Sequence, residues 1–281
     1  MTAPLAVSES AGYLSRFFTL AWASCAQIVR PPSHSRRAEA ARRSARHVLL
    51  LTAIVGVAII TLMYALDVRE ISLMPKRGTP GLWPIRILTD FGKDVYVLGS
   101  IAGLLVIVAM AAPAAKGMRR SLLLGFGTRL QFLFFAVLVS ILAGELIKYV
   151  VGRGRPFVGG QANAFNFSHF AGTEAYASFP SGHATTAVAL AFAVSALWPR
   201  ARIGMMVYAL VIMATRLVLL AHHPSDVVAG ALVGTISAMA VRYWFAARRL
   251  GFTIDRDGTI VPLSSPSPNR LKGVARGAIA P

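Results

Sequence analysis

The stretch TRLVLLAHHPSD, residues 215–226, decides how the rest of the chain is read. It closes an otherwise apolar run with an arginine, two histidines and an aspartate. Ionisable side chains near the end of a membrane-length segment are costly and are functional candidates by default. His222 and Asp226 are four residues apart, so a carboxylate can reach one ring nitrogen and leave the other as a base or nucleophile. Arg216, six residues before His222, carries a flat fork of donors suited to phosphate oxygens. Nucleophile, orienter and anion clamp thus fall within twelve residues. The competing reading is that Arg216 snorkels to the interface and the histidines only cap a helix end. What lies upstream separates the two.

Composition fixes the solvent. The 281 residues are 56% hydrophobic and only 14% charged, with a mean hydropathy of +0.61. A soluble domain of this size carries about 25% charged residues. The sequence is that of an integral membrane protein. Its formal charge of +18 comes from basic residues between and beside apolar segments. That distribution points to membrane topology and anionic lipid headgroups and excludes a nucleic-acid groove reader. Cys25 is the only cysteine, which rules out an internal disulfide or a thiolate metal cluster. The histidines are few and scattered and no H-E-x-x-H spacing occurs, so no metal or other cofactor is expected.

Six apolar segments, near 48–66, 95–115, 130–151, 183–198, 203–221 and 227–247, each approach the roughly 20 residues that cross a bilayer. They define a membrane domain over 48–247, between a basic N-terminal region (1–47) and a C-terminal tail (248–281). Within 13–29, Leu14, Phe17, Phe18 and Ala21 share a helical face and predict an interfacial helix. Arg36, Arg37, Arg42, Arg43 and Arg46 follow as a juxtamembrane basic block. In the tail, Asp257–Gly258 between Thr/Ile-rich arms predicts a small hairpin, and the Ser/Pro composition beyond Leu263 predicts disorder.

The basic residues of the termini and of the second and fourth connections fall on one side of a six-pass topology. The first connection balances its bases with Asp67, Glu70, Asp90 and Asp94. The positive-inside rule then puts both termini in the cytoplasm and the first, third and fifth connections outside, which in a bacterium is the periplasm.

Two further polar clusters fall on that outer side: KYVVGRGRP from Lys148 to Pro156, and PSGH from Pro180 to His183. Alone, the first is a flanking anchor and the second a helix start with Ser181 as cap. Three departures from the apolar pattern at one depth read better as one site. Lys148, Arg155 and Arg216 supply three positive charges for a phosphate dianion and the charge that develops on attack. Ser181 and the Gly182 N–H add donors at a helix N-terminus. His222, held by Asp226, is the candidate nucleophile on phosphorus, forming a phosphohistidine that water hydrolyses. His183 is the candidate general acid for the leaving oxygen, then the base for the water. The fixed cations take the role magnesium has in many phosphoryl transfers.

In their order, Lys148-x6-Arg155-Pro156, Pro180-Ser181-Gly182-His183 and Thr215-Arg216-x5-His222-x3-Asp226 resemble the type-2 phosphatidic-acid phosphatase superfamily. That superfamily includes lipid phosphate phosphatases, polyprenyl-diphosphate phosphatases and vanadium haloperoxidases. Thr215 stands where serine is common and keeps the hydroxyl. His223 fits neither spacing and reads as a bystander. The resemblance implies an all-α, six-transmembrane-helix bundle with its pocket at the outer end. It also implies hydrolysis of a phosphate ester or anhydride on a lipid. Candidate substrates are phosphatidic acid, phosphatidylglycerophosphate, a polyprenyl diphosphate and the phosphates of lipid A. The alternatives are transfer of the phosphate to a lipid acceptor, and a non-catalytic lipid-binding or transport protein on the same fold.

Two softer features remain. Glu145, three residues before Lys148, either positions the lysine or simply compensates a charge at membrane depth. The aromatic outer loop at 157–179 either dips into the interface to admit a lipid chain or packs on its own bundle.

Overall fold

The computed structural model describes residues 12–76, 78–156, 158–159 and 163–263. Phe157 and the Ser/Pro-rich tail beyond Leu263 lie outside the described residues. The architecture is all-α with one small hairpin. It runs α1 (Tyr13–Val29), α2 (Arg37–Ala65), α3 (Asp67–Leu73), α4 (Trp83–Asp90), α5 (Asp94–Ala111), α6 (Gly117–Val151), α7 (Gly182–Leu197), α8 (Arg202–Val218), α9 (Pro224–Ala247), β1 (Phe252–Ile254) and β2 (Ile260–Pro262).

Among the described residues, five stretches are long and apolar enough to cross a membrane: Arg37–Ala65, Pro80–Ala111, Gly117–Val151, Pro199–Val218 and Pro224–Ala247. The sixth, α7, is apolar but only 16 residues long, and half its residues are buried against protein. The expected segments therefore recur, with longer beginnings for α2 and α6. At 35 residues α6 spans about 50 Å, well beyond the hydrocarbon thickness.

The first connection, expected to be a charge-balanced loop, is instead two short helices that dock on the bundle. Proline at the first turn of α4 helps start it. A Cβ on Gly92, just after α4, would lie 2.4 Å from a methyl carbon of Ile212, so α4 and α8 meet at a position only glycine fits.

The centre of the bundle is the α7–α9 crossing. Gly230 and Gly234 are one helical turn apart on α9. A Cβ on Gly230 would lie 2.6 Å from the Ser181 carbonyl oxygen, and one on Gly234 would lie 2.5 Å from that of Thr185. Small residues at this spacing let two membrane helices touch backbone to backbone. Gly234→Val forces the helices apart and is expected to cost about 1–3 kcal/mol, as overpacking does. A thermal midpoint in detergent equal to that of the wild type would contradict the contact.

At the opposite end, β1 and β2 pair antiparallel with Ile254 opposite Ile260, the hairpin expected around Asp257–Gly258. Phe252 enters the core 4.8 Å from the Phe132 ring, whose other neighbour, Phe245, is at 5.5 Å. The N-terminal region closes over the same end: the main-chain N–H groups of Ser33 and His34 donate to the Ala247 carbonyl at 2.9 and 3.0 Å. Tyr13 Oη donates to Met110 O, near the end of α5, and Trp244 Nε1 donates to Ile28 O. Both ends of α1 thus touch the same end of the bundle. Leu14, Phe18, Trp22 and Val29 remain exposed along its outer face.

Candidate active site

The polar residues gather at the other end. There α6 stops and α7 begins. Gly152 ends α6 in the left-handed conformation (φ +56°), and its N–H donates to Lys148 O at 2.9 Å. A Cβ there would meet the Ser168 carbonyl oxygen at 1.8 Å, so the turn that directs Arg153 inward needs glycine. Between α8 and α9, Leu220 takes a left-handed φ of +47° while fully buried. The Ala221 N–H donates to Arg216 O at 3.1 Å. This tight turn brings His222 back beside Arg216.

His222 is 3% exposed, and its Nδ1 lies 2.8 Å from the Ser178 carbonyl oxygen. A carbonyl can only accept, so Nδ1 carries the proton and Nε2 keeps the lone pair. Burial, then the charges of Arg216 and Arg155, hold the imidazole well below its ordinary pKa of 6.5. The ring is neutral at neutral pH, the state a nucleophile needs.

The expected contact between His222 and Asp226 is not the one the structure builds. His222 precedes the first residue of α9, so the one-turn helical spacing to Asp226 does not apply to it. Asp226 lies in the first turn of α9 and turns back to cap it: Oδ2 accepts the His223 N–H at 2.9 Å. The same oxygen accepts the Ser178 hydroxyl at 2.6 Å. Asp226 therefore reaches His222 through Ser178, whose hydroxyl it holds and whose carbonyl holds the ring.

The other oxygen of Asp226 accepts from Arg153 at 2.6 Å. Arg153, which the sequence reading passed over in favour of Arg155, is 1% exposed and is the hub of the site's support. Its other terminal nitrogen donates to Asp67 Oδ2 at 2.8 Å, and the guanidinium also donates to Ser225 Oγ (2.6 Å) and to the Ala164 carbonyl. Asp67 in turn accepts the Ser225 N–H at 3.0 Å. One buried cation faces two buried carboxylates, and nearly every lone pair has a donor. The start of α3 is thereby tied to the turn after α6 and to the start of α9.

Glu70, one turn beyond Asp67, is also buried, and among the described residues neither of its carboxylate oxygens has a partner. Burial, then Asp67 and Asp226, push its pKa up from 4.5 to about 8. The folded state therefore holds a proton that the unfolded state releases near 4.5, and stability falls as pH rises between those two values. Glu70→Gln is expected to flatten the decline in thermal midpoint from pH 5 to pH 8. Parallel declines in the two proteins would contradict this.

The three expected cations converge. Arg216, Arg155 and Lys148 all lie within electrostatic reach of both His222 and His183. Arg216 donates to Thr89 Oγ1 at 2.9 Å, and Thr215 Oγ1 bonds the same hydroxyl at 2.9 Å, so the end of α4 fixes the clamp. Lys148 Nζ pairs with Glu145 at 2.5 Å, with the glutamate largely exposed. A Cβ on Gly182 would stand 3.0 Å from that Nζ, which explains glycine at the approach. Arg155 donates to Glu174 O at 3.0 Å and pairs with the exposed Glu174 carboxylate at 3.3 Å.

Ser181 occupies the N-cap position of α7 but makes no side-chain cap bond. Its N–H donates to Asp226 O at 2.9 Å, while its buried hydroxyl has no partner. Such a group costs stability unless a ligand meets it. Lys93, just before α5, also acts on His183 and was not singled out in the sequence. Thr89, Lys93 and Asp67 all come from the first connection, where sequence spacing gives no signal because the contacts are made over long separations. His223 is fully buried beside the Asp226–Arg153 pair, with both ring nitrogens lacking partners.

Fold and site together define a polytopic helical membrane protein that presents buried cations and a neutral histidine at one end. The sequence model of the PAP2 superfamily matches residues 129–250, a stretch that holds all the expected site residues. The chain's relatives include the lipid A 1-phosphatase of Rhizobium johnstonii, 39% identical over 127 residues, which are 45% of this chain and 52% of the relative. The lipid A 1-phosphatase of Rhizobium etli is 37% identical over 127 residues, 45% of this chain and 55% of the relative. The chain spans about half the length of these curated relatives. No solved structure matches.

Proposed function

We propose that the protein hydrolyses a phosphate on a lipid headgroup through a phosphohistidine, and that the 1-phosphate of lipid A leads the candidate substrates. The observation that carries this reading is the neutral His222, tethered at Nδ1, among Arg216, Arg155 and Lys148. The two lipid A 1-phosphatases support the choice of lipid.

The phosphoryl oxygens bind Lys148, Arg155, Arg216, the Ser181 hydroxyl and the Gly182 N–H. Phosphate displaces the exposed Glu145 and Glu174 from Lys148 and Arg155, so these glutamates keep the clamp open in the free enzyme. His222 Nε2 attacks phosphorus, and the bond from phosphorus to the lipid oxygen breaks as the N–P bond forms. A phosphate dianion bound among Lys148, Arg155 and Arg216 offsets the cations that disfavour a charged His183, and the imidazolium that then forms gives its proton to the departing oxygen. His183 then takes a proton from water, which attacks the phosphohistidine and frees inorganic phosphate and His222. The clamp holds negative charge better in the transition state than in the ground state, which is where the rate comes from. The site opens at the periplasmic face, opposite the basic termini.

The test is phosphate release by detergent-purified protein, with chelator present, from lipid A, phosphatidic acid, phosphatidylglycerophosphate and undecaprenyl diphosphate. Release from lipid A ahead of the others supports the full reading. Preference for another lipid overturns the substrate but keeps the chemistry. No release from any of them, together with no labelled phosphate passed to added acceptor lipids, would overturn the enzyme.

A further inference from the structure

A cleft of about 780 Å³ opens between α7, α8, α9 and β2, at the end of the bundle away from the catalytic histidines. Arg202 and Arg242 both line it. Arg202 is the first residue of α8, 14 residues and about 21 Å of helix from Arg216. Arg242 lies near the end of α9, similarly remote from Asp226. The walls are apolar and follow the membrane-spanning faces: Val188, Phe192, Met206, Leu210 and Met213 among them.

The charge here is unbalanced. Among the described residues, no aspartate or glutamate lines the cleft. Arg242 lies over the Phe192 ring, 6.0 Å from its centroid, and donates to the Ile260 carbonyl, while its buried Nε has no partner. Arg202 is close enough to act on Arg242, like charge on like. Two cations sharing an acid-free cleft at membrane depth call for an anion. The apolar walls call for a hydrocarbon chain. Residues 264–281 contain Arg270, Lys272 and Arg276 and no acid, so charge disfavours this chain's own tail as the occupant.

We propose that the cleft binds one anionic phospholipid from the leaflet opposite the catalytic site. Its phosphate sits between Arg202 and Arg242, and an acyl chain runs along Val188, Phe192, Met206 and Leu210. Because Thr259 and β2 (Ile260–Pro262) line the cleft, the lipid fastens the C-terminal hairpin to α7, α8 and α9. This site is independent of the reaction proposed above.

The test is the thermal midpoint of the full chain in neutral detergent, titrated with phosphatidylglycerol, phosphatidylcholine or inorganic phosphate. Wild type and Arg202→Glu are compared. Arg202 is exposed and stands at a helix start, where glutamate is well tolerated. Phosphatidylglycerol, and not phosphatidylcholine, is expected to raise the midpoint. In Arg202→Glu the concentration needed rises at least about tenfold, with phosphate release at the catalytic site unchanged. Lys148→Met, which removes a phosphate-binding cation from the catalytic site, is expected to keep the wild-type titration, which separates this site from the catalytic one. Equal stabilisation by phosphatidylcholine, stabilisation by inorganic phosphate that weakens in Arg202→Glu as much as that by phosphatidylglycerol, or a titration indifferent to Arg202→Glu would each overturn the proposal. So would a response to phosphatidylglycerol only after removal of residues 264–281, since the tail would then be the occupant.

Discussion

His222→Ala is expected to lower kcat for lipid-phosphate hydrolysis by roughly 10⁴-fold or more, the scale seen when a covalent nucleophile is removed. The loss falls on kcat and not on KM, because Lys148, Arg155 and Arg216 still hold the phosphate. Folding should be little affected. The change removes one hydrogen bond to Ser178 O and leaves the Asp226–Ser178 and Asp226–Arg153 bonds in place. The paired measurement is steady-state kinetics with a thermal midpoint on the same preparation. A KM effect with kcat intact would make His222 a binding residue.

Arg153→Met is expected to be the most damaging change to the fold. It leaves Asp67 and Asp226 buried without their shared cation, and breaking such a pair costs about 3–5 kcal/mol. Arg153→Lys should rescue little, because one ammonium cannot span two carboxylates, Ser225 and Ala164 as the guanidinium does. Adding Asp67→Asn to Arg153→Met should recover part of the loss, since one stranded charge is then removed. The check is a double-mutant cycle on thermal midpoints in detergent. Additive effects would show that the two residues are not coupled.

The membrane class and the site at one end were legible because both are written in local patterns. Apolar runs of bilayer length fix the helices, and Lys148, Arg155, Ser181, His183, Arg216 and His222 fall in short motifs at helix ends. The hairpin around Asp257–Gly258 was legible for the same reason. What escaped was whatever depends on long-range docking. Asp67 and Arg153 meet across 86 positions, and Thr89 and Arg216 across 127. No periodicity encodes such pairs. The role given to Asp226 failed for a local reason: helical spacing was applied across a residue that lies before the helix begins. The glycines of the α7–α9 crossing are visible as Gly230-x3-Gly234, a spacing that marks a close helix contact and carries no catalytic signal.

The central claim is a covalent phosphohistidine on His222. It is tested most directly by mixing the protein with lipid A labelled at the 1-phosphate and quenching within a single turnover in detergent. The account predicts label on the protein that survives alkali, is lost in acid and is absent from His222→Ala. Phosphate release from the wild type without any such label, under conditions where release is slower than attack, would contradict it.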